Sequence, residues 1–341
     1  MRMKRTTQCL LLSAVGLCPV AVAPQAAPIP VPATGAIDVD WVGAWGDRGA
    51  ADGQFSEPYY LSLGPTGYLY VGDLGNHRIQ YFTGEGRFVG KWGSQGTGDG
   101  QFTRAPVVTV GPDGHAHVGD CAQDRMQEFT AEGRFLKSWG VSGSGPGEIR
   151  CGAVAAVDDD GSLYVADYLN HRVQVYTRDG DYLRGWGGLG SGPGEFQRTS
   201  HIAIGPDDLL YVVDALNHRI QVFSKEGDFV REWGGEGSRP GQMSSPCCVA
   251  IDAAGNVFVG DVLNDRIQVF DSEGRFRGAW GELGLEPGQF TGPAGVAVAP
   301  AADGRVRVWV AEIGFAGPTR LQHAGLTEGG NRVQVFEVAI R

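Results

Sequence analysis

Residues 186–234 read WGGLGSGPGEFQRTSHIAIGPDDLLYVVDALNHRIQVFSKEGDFVREWG. The stretch opens on Trp186-Gly187, and 47 residues later Trp233-Gly234 ends it. After a glycine-rich run come a short apolar segment (HIAIG), a turn (PDD) and a second segment (LLYVVD). A link (ALNHR), a third segment (IQVFS), a turn (KEGD) and a fourth segment (FVREWG) follow. Each segment has the length and the β-branched and aromatic content of a strand. No window carries a sustained 3.6-residue period, so helices are not expected. Four antiparallel strands joined by tight turns make one blade of a β-propeller.

The same unit recurs along the chain. Trp45, Trp92, Trp139, Trp186, Trp233 and Trp280 are each followed by Gly at a constant 47-residue spacing. A fixed period of this size in turn-rich sequence means one supersecondary unit copied around a ring. The chain therefore reads as all-β, a six-bladed propeller over residues 37–341. Its 55 glycines among 341 residues fit this reading, since tight turns call for positive φ. The run GSQGTGDG (93–100) is a bend between blades; it lacks the Gly-Lys-Ser/Thr ending of a phosphate loop.

The link between second and third strands carries a second signature. Asp73, Asn76 and Arg78 recur as Asp167, Asn170 and Arg172, as Asp214, Asn217 and Arg219, and as Asp261, Asn264 and Arg266. Unit two departs, with Asp120, Gln123 and Arg125, and unit six has Glu312 and Arg332 separated by an insertion. His77, His171 and His218 sit inside the same link. Residues repeating on the frame of the fold are expected to cap turns rather than to bind metal. Asp158-Asp159-Asp160-Gly161 is a turn, without the glutamate that ends a calcium loop.

The combination Trp-Gly, Gly-x-Gly-Gln/Glu-Phe, Tyr/Phe-Val-x-Asp and Asn-His-Arg-Ile-Gln-Val-Phe resembles NHL repeats, in six copies over 37–341. The resemblance implies a six-bladed ring of NHL-type blades. It leaves function open, because that family includes protein-interaction modules, RNA-binding domains and the lyase that completes peptide amidation.

Residues 1–23 read as a secretory signal, with Arg2, Lys4 and Arg5 before an apolar run from Cys9 to Ala23. The run is short for a membrane span. A secreted or periplasmic protein is expected; a lipoprotein anchored at Cys18 is the lesser alternative, because Leu17 is large for the preceding position. Residues 24–36 form a Pro/Ala-rich linker expected to be extended and mobile. Residues 40–45 match 87–92, so the N-terminus supplies a fourth strand without its own first three. The C-terminus ends on a third strand, Val333 to Phe336. The two ends are expected to complete one blade and close the ring, leaving no open edge.

Charge narrows the partners. The net charge is −11, and about −14 once the leader's three basic residues are removed. Phosphate neutralisation by Lys and Arg dominates nucleic-acid binding. Nucleic acid and an anionic membrane surface are therefore not expected, nor is membrane insertion given the short apolar run, and a monomeric ring presenting loops to a protein, peptide or glycan is. Strand order puts the links between second and third strands, and between one blade and the next, on one face, here called the top. The insertion Ile313–Gly330, with Arg320 and His323, projects there as a lid or a flap.

Candidate site residues are those that break the repeat at the top. NHL-repeat proteins commonly carry Pro-x-Gly-Val at the entrance of each first strand. Here Pro293-Ala294-Gly295-Val296 keeps it, and steps of 47 residues back give Cys248, His201, Val154, Val107 and Tyr60. Tyr60, His201 and Cys248 are expected at the channel mouth, with Arg104, Arg198 and His323 around them. A neighbouring His and Cys could be a soft-metal pair, an activated thiol or simple filling of the channel. The main reading is a binding scaffold acting through the top face. The alternative is a metal-assisted lyase or hydrolase of the peptidyl-hydroxyglycine amidating lyase type. The residues name no cofactor and no metal site; zinc or calcium are the ions the alternatives would use. Of the four cysteines beyond the leader, Cys121 and Cys151 both lie on the top approach and are expected to pair.

Overall fold

The computed structural model describes residues 29–103, 106–301, 303–314 and 329–341. The leader 1–23, Arg104, Arg320, His323 and most of the insertion lie outside the described residues. The described chain is almost wholly strand and turn, arranged as six blades. Blade four shows the pattern: Thr199–Ile204, Leu210–Asp214, Arg219–Phe223 and Phe229–Gly234 pair in sequence order, each antiparallel to the last. The six innermost strands, beginning at Pro58, Pro106, Gly152, Thr199, Pro246 and Pro293, each lie beside the next, and the last lies beside the first. In blade six the outer strand is Ile37–Trp45. It pairs with Val333–Ile340 from Ile37↔Ile340 to Trp45↔Val333.

Alternation along each strand builds the core. In blade four, Leu210 and Val212 pack toward blade three with Tyr164, Ala166 and Phe196. Their neighbours Tyr211 and Val213 pack toward blade five with Val249, Val257 and Val259. Every interface is thus a two-layer sandwich whose sides come from adjacent repeats. The repeated tryptophan also acts between blades. The turn glycine of the next blade is crowded by it: a Cβ at Gly227 would stand 2.7 Å from Trp186, at a φ of +101°. Trp92 meets Gly133 in the same way, and Trp233 meets Gly274.

The acidic residue of each link is a buried clasp. Asp214 accepts from the Gln197 amide at 2.7 Å, from Asn217 and Arg219 Nε at 2.8 Å, and from Gln221 at 3.1 Å. Arg219 then donates to the carbonyls of Gly192 and Glu195 in the glycine-rich run. The histidine of the link has a second role. His171 and His218 adopt φ of 57° and 58°, and their Nδ1 atoms accept from the amides of Arg198 and Ser245 at 3.0 Å. Asp265, Asp124 and Asn331 occupy this position elsewhere and accept from Gly292, Cys151 and Glu57. His, Asp and Asn share short polar acceptors and a tolerance of the left-handed region. The shared acceptor explains why the position varies among those three types, with the left-handed φ found at the His and Asp positions.

The linker reading needs correction over residues 29–35, while residues 24–28 lie outside the described residues. Ile29–Val31 pairs with the strand Ile37–Trp45, and Ala33–Gly35 pairs with Phe276–Trp280, so blades five and six have five strands each. Proline is admissible on an edge strand, and glycines make room for this strap. A Cβ at Gly278 would strike Thr34 and Ile37, and one at Gly288 would strike Val31.

Candidate functional site

The top of the ring is built from the clasped links, so its side chains stand on a rigid base. Cys121 in the link of blade two is disulfide-bonded to Cys151 at the entrance of blade three, as the sequence led us to expect. Cys247 and Cys248 are free and buried.

Tyr60 and His201, both expected at the channel mouth, are in contact. Their rings stack with centroids 5.2 Å apart and planes 13° from parallel. The Tyr60 hydroxyl donates to the carbonyl of Ser200 at 2.9 Å. Blade one faces blade four across a six-fold ring, so the phenol spans the channel. Tyr59 packs edge-on against Tyr60 at 4.4 Å. Burial pushes the hydroxyls of both tyrosines well above the ordinary tyrosine range. Burial also pushes His201 down to about 3, and its buried Nδ1 has no hydrogen-bond partner among the described residues. His201 is therefore neutral near pH 7.

Cys248 is 1% exposed, and its Sγ lies against Gly260 of its own blade. The neighbouring Cys247 donates to the Pro293 carbonyl at 3.6 Å, and burial raises its thiol above the ordinary range. An imidazolium-activated thiol is thus not what the structure places here: the imidazole is uncharged and the thiols are packed in the core. Arg198 stands outside the mouth. Its guanidinium lies 5.0 Å above the ring of Tyr168 and donates to that hydroxyl at 3.1 Å. Arg104 and His323 lie outside the described residues. Among the described residues, no three His, Cys, Asp or Glu side chains are grouped so as to hold a metal ion.

The step of 47 residues was too simple a guide to the mouth. In blades four, five and six the first strand bulges at Ser200, Cys247 and Ala294. In blade one the bulge comes one position later, at Tyr60, whose φ is +56°. A bulge re-aims a side chain, and sequence spacing carries no mark of it.

A second feature of the top was missed. Leu169, Leu216 and Leu263 are 37%, 45% and 43% exposed, at equivalent positions in the links of blades three, four and five. Each is held by its amide, which donates to the carbonyl of Arg150, Gln197 or Ser244. The same position holds Gly75, Ala122 and Gly314 in the other three blades. One half of the top therefore carries an apolar arc. The repeat frame contained this signal.

Comparison with known proteins supports the fold. The family model DUF5128, described as a 6-bladed beta-propeller, matches residues 149–232. No curated protein matches the chain significantly. Among solved structures, a gluconolactonase from Xanthomonas campestris superposes with a TM-score of 0.58 at 13% identity, covering 93% of this chain and 99% of that one. Virginiamycin B lyase from Staphylococcus aureus gives 0.56 at 12% identity, covering 88% and 99%. A protein of unknown function from Bacteroides thetaiotaomicron gives 0.59 at 15% identity, covering 90% and 77%. At these identities the likeness is one of fold.

Proposed function

We propose that this protein is an exported, monomeric propeller of NHL-type blades that binds a protein, peptide or glycan through its top face. The observation that carries the reading is the bridge from Tyr60 to Ser200 between opposite blades. Tyr60 reaches Ser200 across the channel and stacks on His201, so a ligand would meet the rim and not the interior. The top also bears an apolar arc on a clasped, rigid base, which lowers the ordering cost of binding. Loops on a rigid scaffold are the usual place for recognition.

The experiment is retention of peptide and glycan arrays by the purified mature protein. Leu216→Trp blocks the top, and Asp160→Trp alters a turn on the opposite face. Retained ligands should be lost with the first variant and kept with the second. Loss with the second alone, or no retention at all, would refute the reading. Turnover of virginiamycin B or of gluconolactone, the substrates of the structural neighbours, that disappeared in His201→Ala would favour an enzyme instead.

A further inference from the structure

We infer that the leucine arc is a docking surface for an extended protein segment bearing aliphatic side chains and carboxylates. The inference rests on the top-face reading and specifies its partner. Leu169, Leu216 and Leu263 project from three consecutive blades on backbones fixed by the same hydrogen bonds. In each link the following asparagine is tied to the glycine-rich run, at 2.9 Å from Asn170 to Gly143, Asn217 to Gly190 and Asn264 to Gly237. Exposed aliphatic side chains repeated on a rigid base match a ligand that offers anchors at intervals, as a strand-like segment does. A compact sugar ligand would call instead for clustered polar groups and aromatic platforms. The leucine tips are apolar, and the Tyr168 ring beside them is covered by the Arg198 guanidinium.

Charge selects the sign of the partner. Arg150 is exposed, and its carbonyl holds Leu169; its equivalents are Ser56, Thr103, Gln197, Ser244 and Thr291. Arg198 sits between the first two leucines on the ring of Tyr168; its described equivalents are Glu57, Cys151, Ser245 and Gly292. In a chain of net charge −11, two arginines are thus set beside the apolar arc. A segment with acidic residues beside its aliphatic anchors gains at both, whereas a basic segment, though drawn by the net negative charge of the rest of the molecule, meets two like charges at the arc itself.

The test is selection of a random peptide library displayed on phage against the mature protein. Synthetic copies of the enriched peptides are then titrated against variants. Enriched sequences should combine Leu, Ile or Val with Asp or Glu. Affinity should fall at least about tenfold in the Leu169→Ser, Leu216→Ser, Leu263→Ser triple variant. It should also fall in Arg150→Glu, which leaves the leucines in place. The leucines are exposed, so the triple variant should keep the wild-type melting temperature. Ala122→Trp, on the other half of the top, separates the two readings. If it blocks binding while the triple variant does not, the arc is refuted and the top-face scaffold stands. If neither variant alters binding, both readings fail. Absence of enrichment, or enrichment of basic sequences, overturns the inference.

Discussion

His117 shows what one substitution does to a blade. It occupies the place of Tyr70, Tyr164, Tyr211, Phe258 and Trp309 in the other five blades, and it pairs across the sheet with Glu128. Where blade four has Val222 and Arg231, blade two has Glu128 and Lys137. Glu128 is buried and bound by His115 at 2.5 Å and by Lys137 at 3.2 Å. His117 itself is 2% exposed, and its Nδ1 has no hydrogen-bond partner among the described residues. Burial pushes its pKa down to about 4, a shift that the nearby carboxylates of Glu128 and Asp113 oppose but do not cancel. The sign follows from linkage. The unfolded chain binds this proton near pH 6.5 and the folded chain only near pH 4. The stability is present above pH 6.5 and is lost as pH falls toward 4, at most about 3 kcal/mol. His201, pushed down to about 3, adds a loss of the same sign. We expect His117→Gln to flatten the decline of melting temperature between pH 7 and pH 4.5. Parallel declines in wild type and variant would show that His117 is protonated in the fold.

At the scale of the element, the N-terminal strap tests how far composition can be trusted. Pro30 and Pro32 made residues 24–36 look like a spacer, because proline removes a ladder donor. An outermost strand can do without that donor, and the deciding residues lie far away in sequence. Gly278 stands where blades two, three and four have Lys137, Arg184 and Arg231. Its bare Cα lets Thr34 and Ile37 approach. Gly278→Arg should expel Ala33–Gly35 and remove amide-exchange protection there, while blade four keeps its own. Unchanged protection would show that the strap does not depend on this gap. The disulfide is an element-level tie of a different kind. It closes a loop of 30 residues between blades two and three. Replacing both cysteines by serine should cost about 3 kcal/mol, read as a lower melting temperature. An unchanged midpoint would mean that the interblade hydrogen bonds already hold the two links. The clasps, by contrast, were legible: a short acid repeating with Asn and Arg in four of the six links pointed to a turn device. The leucine arc was legible too, but only in a comparison of exposed link positions, and periodicity says nothing about exposure. The bulge at Tyr60 was not legible, since the same residue count in two strands hides a one-residue slip.

For the whole molecule, the consequential feature is that one blade is made from both ends of the chain. Ile37–Trp45 supplies the outer strand of blade six and pairs along its length with Val333–Ile340. Ile37, Val39 and Trp45 are buried there, and Trp45 also packs under Gly86 of blade one. The Arg341 amide donates to the Ala36 carbonyl at 2.8 Å, and its guanidinium pairs with Asp38. No covalent bond joins these strands among the described residues, so the blade stands on strand pairing, apolar burial and ion pairs. Removing 37–46 would leave Val333–Ile340 as an open edge and uncover part of two interfaces at once. We expect that deletion to abolish the cooperative thermal transition and to promote aggregation through the bare edge. Removing only 29–35 takes away fifth strands, uncovers less apolar surface, and should lower the midpoint while the transition stays cooperative. A peptide of residues 36–47 added during refolding should restore the larger deletion, because the missing strand needs no chain connection to pair. The discriminating measurement is calorimetry of both truncations and of the peptide-supplemented mixture. Equal midpoints for the two truncations would mean that blade six is stable with three strands and that the ends are joined only incidentally.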